Sequence, residues 1–253
     1  HHAPHVLILV KSVKNGNSTQ NLLASVDDLY AWYHSLVLKL NTNPEPFKPT
    51  VASLIKDKKT DEDKIKSIFY WVQDNIRYIA YEDGIAGFKP DDAQNVYEKK
   101  YGDCKGMANL TKEMLKIAGF DARLTWIGTR QILYDYSIPS LAVDNHMICT
   151  VVLNDKKYFL DATEDNVSFG DYAERIQNRQ VMIENGDKYI LDKVPTFDKT
   201  RNLEQHSYTS KINSELLEGV GKFTLHGETK KDFVTHYTHT QNDKKQEYLE
   251  GYI

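Results

Sequence analysis

Tyr101-Gly102-Asp103-Cys104-Lys105-Gly106 sets one of the chain's two cysteines directly ahead of a run with helical spacing. Met107, Leu110, Met114, Leu115 and Ala118 recur three and four residues apart, which predicts one buried face of a helix. Gly102 and Asp103 supply turn and cap chemistry at its start, and Gly119 supplies a stop. Cys104 therefore belongs in the first turn of an amphipathic helix, where unpaired N–H groups and the helix dipole favour an anionic sulfur. A lone cysteine is more often a small buried hydrophobe. Only partners of the right type elsewhere in the chain would make it a nucleophile.

Two such partners lie downstream. His146 opens the β-branched run Asn145-His146-Met147-Ile148-Cys149-Thr150-Val151-Val152-Leu153, which reads as a strand. Asn154-Asp155 provides a turn, and Lys157-Tyr158-Phe159-Leu160-Asp161-Ala162-Thr163 returns as a second strand. A hairpin of this kind brings His146 and Asp161 close on adjacent strands. A nucleophile on a helix, a base on one strand and a carboxylate on the next is the logic of cysteine acyl transfer. In that scheme Cys104 attacks, His146 acts as general base and then general acid, and Asp161 orients the imidazole. The backbone N–H of Cys104 is a natural oxyanion donor. Tyr78, Tyr81 and Gln94 are the candidates for a second donor.

The same residues carry a family resemblance. Tyr-Gly-Asp-Cys-Lys-Gly, then Asp-Asn-His opening a strand, then Leu-Asp-Ala-Thr ending the next, resembles the transglutaminase-like branch of the papain-type cysteine protease superfamily. Upstream, Ile68 to Tyr78 looks like the helix that precedes the nucleophile there, and Phe88 to Tyr97 like the short segment just before it. The likeness runs from about Lys56 to Leu191 and is similar to bacterial multidomain proteins in which such a domain lies between β-rich domains. It implies an α+β fold of the papain-like, transglutaminase-core kind, with helices packed on an antiparallel sheet. It also implies a peptide or protein amide as substrate and a periplasmic or cell-surface location. Gly106 departs from the resemblance, which implies an acidic residue there. A silent module that keeps the fold to bind peptide or glycan is the alternative to catalysis.

Composition narrows the remaining classes. Hydrophobic content of 40% and charged content of 27% are those of an ordinary globular protein. The net charge of −4 and the lack of a basic block argue against nucleic acid. The apolar run Val6-Leu7-Ile8-Leu9-Val10 is far too short to span a bilayer. No signal peptide is visible at His1-His2-Ala3-Pro4. Nine histidines include neither a His-Glu-x-x-His nor a Cys-x-x-Cys companion, so no metal or cofactor is expected. Cys149 falls on the face of its strand opposite His146 and reads as core; a Cys104–Cys149 disulfide, which would silence the nucleophile, is the lesser alternative.

The elements that must position these groups follow in chain order. Residues 1–20 read as the tail of a preceding β-rich region: Val6 to Val13 is a strand whose partner is expected far away, and Asn15-Gly16-Asn17 is a turn. Val26 to Leu40 is a helix, and the prolines at 44, 46 and 49 read as a break and a boundary. Thr60-Asp61-Glu62-Asp63 caps a helix carrying Ile65, Ile68, Phe69, Val72 and Ile76. Ala122 to Thr129 is a strand, and the irregular stretch from Gln131 to Asp144 would shape a pocket beside the base. Val181 to Leu191 is a hairpin about Asn185-Gly186, closing a catalytic domain of residues 21–195. Residues 203–253 read as a truncated β-sandwich-like module of short strands, with Phe233, Thr235 and Tyr237 alternating and His236 and His239 facing outward.

Overall fold

Three helices of the computed structural model, which describes residues 4–251, begin at a polar side chain that accepts from a free N–H group: Ser25, Thr60 and Asp103. His1-His2-Ala3 and Tyr252-Ile253, which the reading above places in the opening segment and in the last module, lie outside the described residues. Two compact units emerge, His1–Glu164 with Ser168–Pro195, and Asp165–Val167 with Thr196–Ile253.

The first unit opens on a hairpin, β1 (Ser12–Asn15) and β2 (Ser18–Asn21). The expected strand thus pairs with its immediate neighbour across Gly16-Asn17, because Gly16 at φ +58° makes the tight turn, and Val6 to Val10 is not strand. Helix α1 (Val26–Val37) starts with a capping box: Asp28 N–H donates to Ser25 Oγ at 3.2 Å, and Ser25 N–H to Asp28 Oδ2 at 2.8 Å. The prolines do not mark a boundary. Pro49 sits in the first turn of α2 (Lys48–Ile55), where its missing N–H costs nothing, and Phe47 and Val51 are fully buried. Thr60 caps α3 (Asp61–Asn75), which buries Ile65, Ile68, Phe69 and Val72. A short parallel pair, β3 (Arg77–Tyr78) with β4 (Tyr101–Gly102), brackets α4 (Ala93–Lys99) and delivers the chain to α5 (Cys104–Ile117).

Helix α5 is the axis of the unit. Asp103 caps it, accepting from Gly106 N–H at 2.8 Å, and Gly119 at φ +90° ends it. The expected amphipathic stripe is exceeded, for every residue from Cys104 to Leu115 is buried. One side packs on β5 (Asp121–Ile127) and β6 (His146–Leu153), the other on α2, α3 and α4. Its charged side chains are tolerated because they pair: Lys105 Nζ lies 2.5 Å from Asp103, and Lys112 Nζ 3.1 Å from Glu113. Strand β6 returns through Asn154 and Asp155, both at positive φ, into β7 (Lys156–Leu160). With β8 (Gln180–Asn185) and β9 (Lys188–Lys193) these strands form one antiparallel sheet in the order β7-β6-β5-β8-β9. The fold is α+β, helices on an antiparallel sheet.

The second unit holds a long antiparallel hairpin, β10 (Leu203–Asn213) with β11 (Leu216–His226), followed by α6 (Glu228–His239) and α7 (Lys245–Glu250). Residues 228–239 are thus helical where alternation predicts strand. Phe233 and Tyr237, four apart, stack at 6.0 Å between centroids, and both meet Tyr248. His236 and His239 are not outward strand residues; each imidazole bonds the carbonyl four residues back at 2.8 Å. Period 2 and period 3.6 both fit so short a run, and i,i+4 aromatic contact decides for the helix. Among the described residues no helix is long and apolar enough to cross a membrane.

Gly106 has a packing reason. A Cβ there would lie 2.9 Å from Val96 Cγ2, so an alanine, ordinarily better in a helix, collides with α4. Gly106→Ala is expected to lower stability by roughly 1–2 kcal/mol in denaturant unfolding. Val96→Ala in the same chain should recover part of that loss. An unchanged unfolding midpoint for Gly106→Ala would show that the α4–α5 contact is not close-packed.

Candidate active site

Cys104, His146 and Asp161 arrive from three different elements of the first unit. Cys104 is the first residue of α5, His146 the first of β6, and Asp161 directly follows β7. All three are buried: the residues are 4%, 6% and 3% exposed, respectively. The β6–β7 register sets Cys149 opposite Leu160, so the start of β6 and the end of β7 share one end of the sheet. There His146 Nε2 lies 2.9 Å from Asp161 Oδ2. With Nε2 committed to the carboxylate, Nδ1 is the nitrogen left for the thiol. Cys104 and His146 border the same cavity of about 260 Å³, and the sulfur is near enough to act on the imidazole through a hydrogen bond and its charge.

Asp161 is saturated with donors. Its Oδ1 accepts from Thr163 N–H at 3.2 Å and Thr163 Oγ1 at 2.7 Å, while Oδ2 is shared by His146 and Arg175 Nη2, the latter at 2.9 Å. Burial alone would raise the Asp161 pKa, but the His146 charge and hydrogen bond, then Arg175, outweigh it and hold the carboxyl well below the usual carboxylate range. For His146, burial works to lower the pKa; the charge and hydrogen bond of Asp161, with Cys104 adding to them, carry it instead to about 9. The ring is thus held as an imidazolium at neutral pH. Both cysteines are free thiols. Cys149 is fully buried in β6, and burial pushes its thiol up to about 12, the property of an inert core residue.

Of the three oxyanion candidates, two point elsewhere. Gln94 spends its amide on the chain before α2, donating to Asn41 O at 2.6 Å and accepting from Asn43 N–H at 3.1 Å. Tyr81 borders a separate cavity with Ile79, Tyr101 and Asp103. Tyr78 lies within electrostatic reach of both Cys104 and Arg175.

Sequence reasoning did not single out Arg175 or Asp144. Arg175 comes from a 3-10 turn, Glu174–Ile176, and joins Asp161 to Glu164, whose Oε1 is 2.6 Å from Arg175 Nε. Asp144 ends the irregular stretch before β6 and borders the cavity with Tyr33, Trp126 and Leu141. The Asp-Asn pair immediately ahead of His146 was the only sequence sign of it.

Residues 48–160 match the family model described as the transglutaminase-like superfamily. This stretch is a transglutaminase-like superfamily domain. Among solved structures, a provisionally assigned protease from Parabacteroides distasonis superposes with a TM-score of 0.55 at 15% identity, over 77% of this chain and 37% of that one. A provisionally assigned cysteine protease from Cytophaga hutchinsonii gives 0.38 at 14% identity, over 51% of this chain and 42% of that one. Calcium-bound LapG from Legionella pneumophila gives 0.43 at 14%, over 69% and 92%. The first of these likenesses supports the fold alone; the other two superpose too loosely to carry an argument. The chain spans little more than a third of the Parabacteroides protein, 37% of its length. No curated protein matches the sequence.

The shared carboxylate oxygen couples His146 to Arg175. Asp161→Asn removes the charge that offsets burial, so the His146 pKa is expected to fall by roughly one to three pH units. Arg175→Gln removes a competing cation, so the same pKa should rise. Titration of the His146 ring signals by NMR reads both directions, and a pKa that ignores Asp161→Asn would dismiss the coupling.

Proposed function

We propose that this domain is a cysteine acyl-transfer enzyme acting on amide bonds through a thioacyl intermediate. The observation that carries the reading is the buried His146 imidazole, held at 2.9 Å by Asp161 on one side and sharing a cavity with the Cys104 thiol on the other. Asp161 cannot turn away, because Thr163 and Arg175 occupy its remaining positions. The imidazole is thereby oriented before any substrate arrives.

In the proposed reaction the His146 imidazolium already holds the proton that Cys104 has given up, and the sulfur attacks the substrate's carbonyl carbon. The resulting oxyanion is met by the Cys104 backbone N–H at the head of α5, where the helix dipole favours negative charge, with the Tyr78 hydroxyl as second donor. The carbon–nitrogen bond breaks, the leaving amine takes the proton from His146, and Cys104 carries the acyl group as a thioester. Water or a second amine then attacks, His146 takes its proton, and the sulfur leaves as thiolate. Hydrolysis and transamidation differ only in that acceptor.

The test is alkylation of the native protein by iodoacetamide at pH 7, with the label located by mass spectrometry. Cys104 should react at least about tenfold faster than a free thiol, and His146→Ala should remove most of that advantage. Once a substrate is in hand, Cys104→Ala is expected to lower turnover on the order of 10³-fold or more. Products formed with and without a primary amine then separate the two acceptors. Labelling no faster than a free thiol and indifferent to His146 would instead mark a peptide- or glycan-binding module.

A further inference from the structure

The cavity that holds Cys104 and His146 has a charge imbalance that the reaction above does not use. Its walls include two carboxylates, Asp144 and Glu82, and two cationic groups, Lys105 and the His146 imidazolium, the latter paired with Asp161 at 2.9 Å. Lys105 is already neutralised, with its Nζ 2.5 Å from Asp103. Asp144 has no cationic partner among the described residues. What it has is two phenols: Tyr33 Oη donates to its carboxylate at 2.9 and 3.0 Å, and Tyr136 Oη to Oδ2 at 3.1 Å. Arg179, whose charge reaches Tyr136, is spent on the carbonyls of Gly128 and Tyr134.

This arrangement is built rather than incidental. Tyr33 and Tyr136 are 1% and 2% exposed, and Tyr33 is clamped by stacking on Trp126 at 5.1 Å between ring centroids. The two hydroxyls fix the carboxylate two residues before His146, beside the apolar walls of Phe88, Leu141 and Met147. Burial raises the Asp144 pKa to about 7 even though both phenols oppose that rise. Two neutral donors therefore leave the anion under-compensated, and in surroundings this poor in water an ammonium group would compensate it strongly.

Resting on the reading of the site as an acyl-transfer centre, we propose that Asp144 binds a protonated primary amine on the substrate and so selects acyl compounds that carry one near the reacting carbonyl. The free amino terminus of a peptide and the side-chain amine of a lysine-like residue both present that group. Glu82, exposed beside the same cavity, adds to the attraction without setting the position.

Cys104 itself can report on the charge preference. The full chain is treated at pH 8 with three methanethiosulfonates, aminoethyl (cationic), ethyl (neutral) and sulfonatoethyl (anionic). Rates at Cys104 are read by mass spectrometry and expressed relative to the neutral reagent on the same protein, which cancels differences in thiol reactivity. Relative to a free thiol treated in parallel, the wild type should favour the cation over the anion by about tenfold or more. Asp144→Asn, which can still accept from both phenols, should lose most of that preference, and Glu82→Gln should keep it. A wild-type ratio no different from the free thiol overturns the proposal without need of any variant. So does a preference lost in Glu82→Gln but kept in Asp144→Asn. Slow reaction of Cys104 with the neutral reagent would count against the acyl-transfer reading, whereas normal reaction without charge preference counts against the amine subsite alone. Protection of Cys104 by L-alaninamide or by Nα-acetyl-L-lysine amide then separates the two sources of the amine.

Discussion

Everything in the first unit depends on burying one polar helix from all sides. α5 has the sequence Cys-Lys-Gly-Met-Ala-Asn-Leu-Thr-Lys-Glu-Met-Leu over its buried stretch, and five of those twelve residues are polar or charged. Such a helix is stable inside a protein only if most of its polar groups are answered, and here Asn109 Oδ1 is the exception. The answers are local: Asp103 for Lys105, Glu113 for Lys112, the Asp91 carbonyl for Asn109 at 3.0 Å, and the Met107 carbonyl for Thr111 at 2.8 Å. The charge pairs travel within α5 and its cap, so what holds the helix against its surroundings is its packing on β5, β6, α2, α3 and α4 together with the Asn109 bond to Asp91. The thiol at its head is therefore fixed relative to the sheet, which is what a nucleophile approached by a base from another element requires.

The second constraint is electrostatic. Asp161 is a carboxylate removed from water, and it is tolerated because four hydrogen bonds converge on its two oxygens. Arg175 has a double effect: it stabilises the anion, and by sharing Oδ2 with His146 it moderates how strongly that anion attracts the imidazolium. Without it, the imidazole would be held more firmly as a cation and would give up its proton less readily. The site is thus a balance of one buried anion between two cations rather than a simple pair.

Much of this was legible in the sequence, and the reasons for success and failure differ by residue. Cap chemistry at Thr60 and Asp103 is local and survived folding, as did the turn at Asn154-Asp155, where both residues take positive φ. Long-range partners of an irregular segment left no periodic trace. Arg175 sits in a single 3-10 turn and Tyr136 in a loop, and neither stands at a spacing that names its contact. The helix at 228–239 was misread because its aromatic residues fit both periods, and only Tyr248, beyond the segment, completes the cluster. Pro49 misled for the opposite reason: a residue that breaks helices inside them is welcome in their first turn.

The order of strands carries a lesson about where this module ends. β5 is the middle strand of the sheet, flanked by β6 on one side and β8 on the other. β8 belongs to residues 180–185, well past the stretch of 48–160 recognised as transglutaminase-like. Tyr33, stacked on Trp126 of β5, comes from before that stretch, and Asp161 and Arg175 from after it. A segment cut to the recognised span would carry the nucleophile and the base, yet would leave β5 as an open edge strand and would lack the carboxylate that steadies the imidazole. Shared ancestry and autonomous folding thus draw different borders here. The wider border, from α1 to β9, is the one that physics requires.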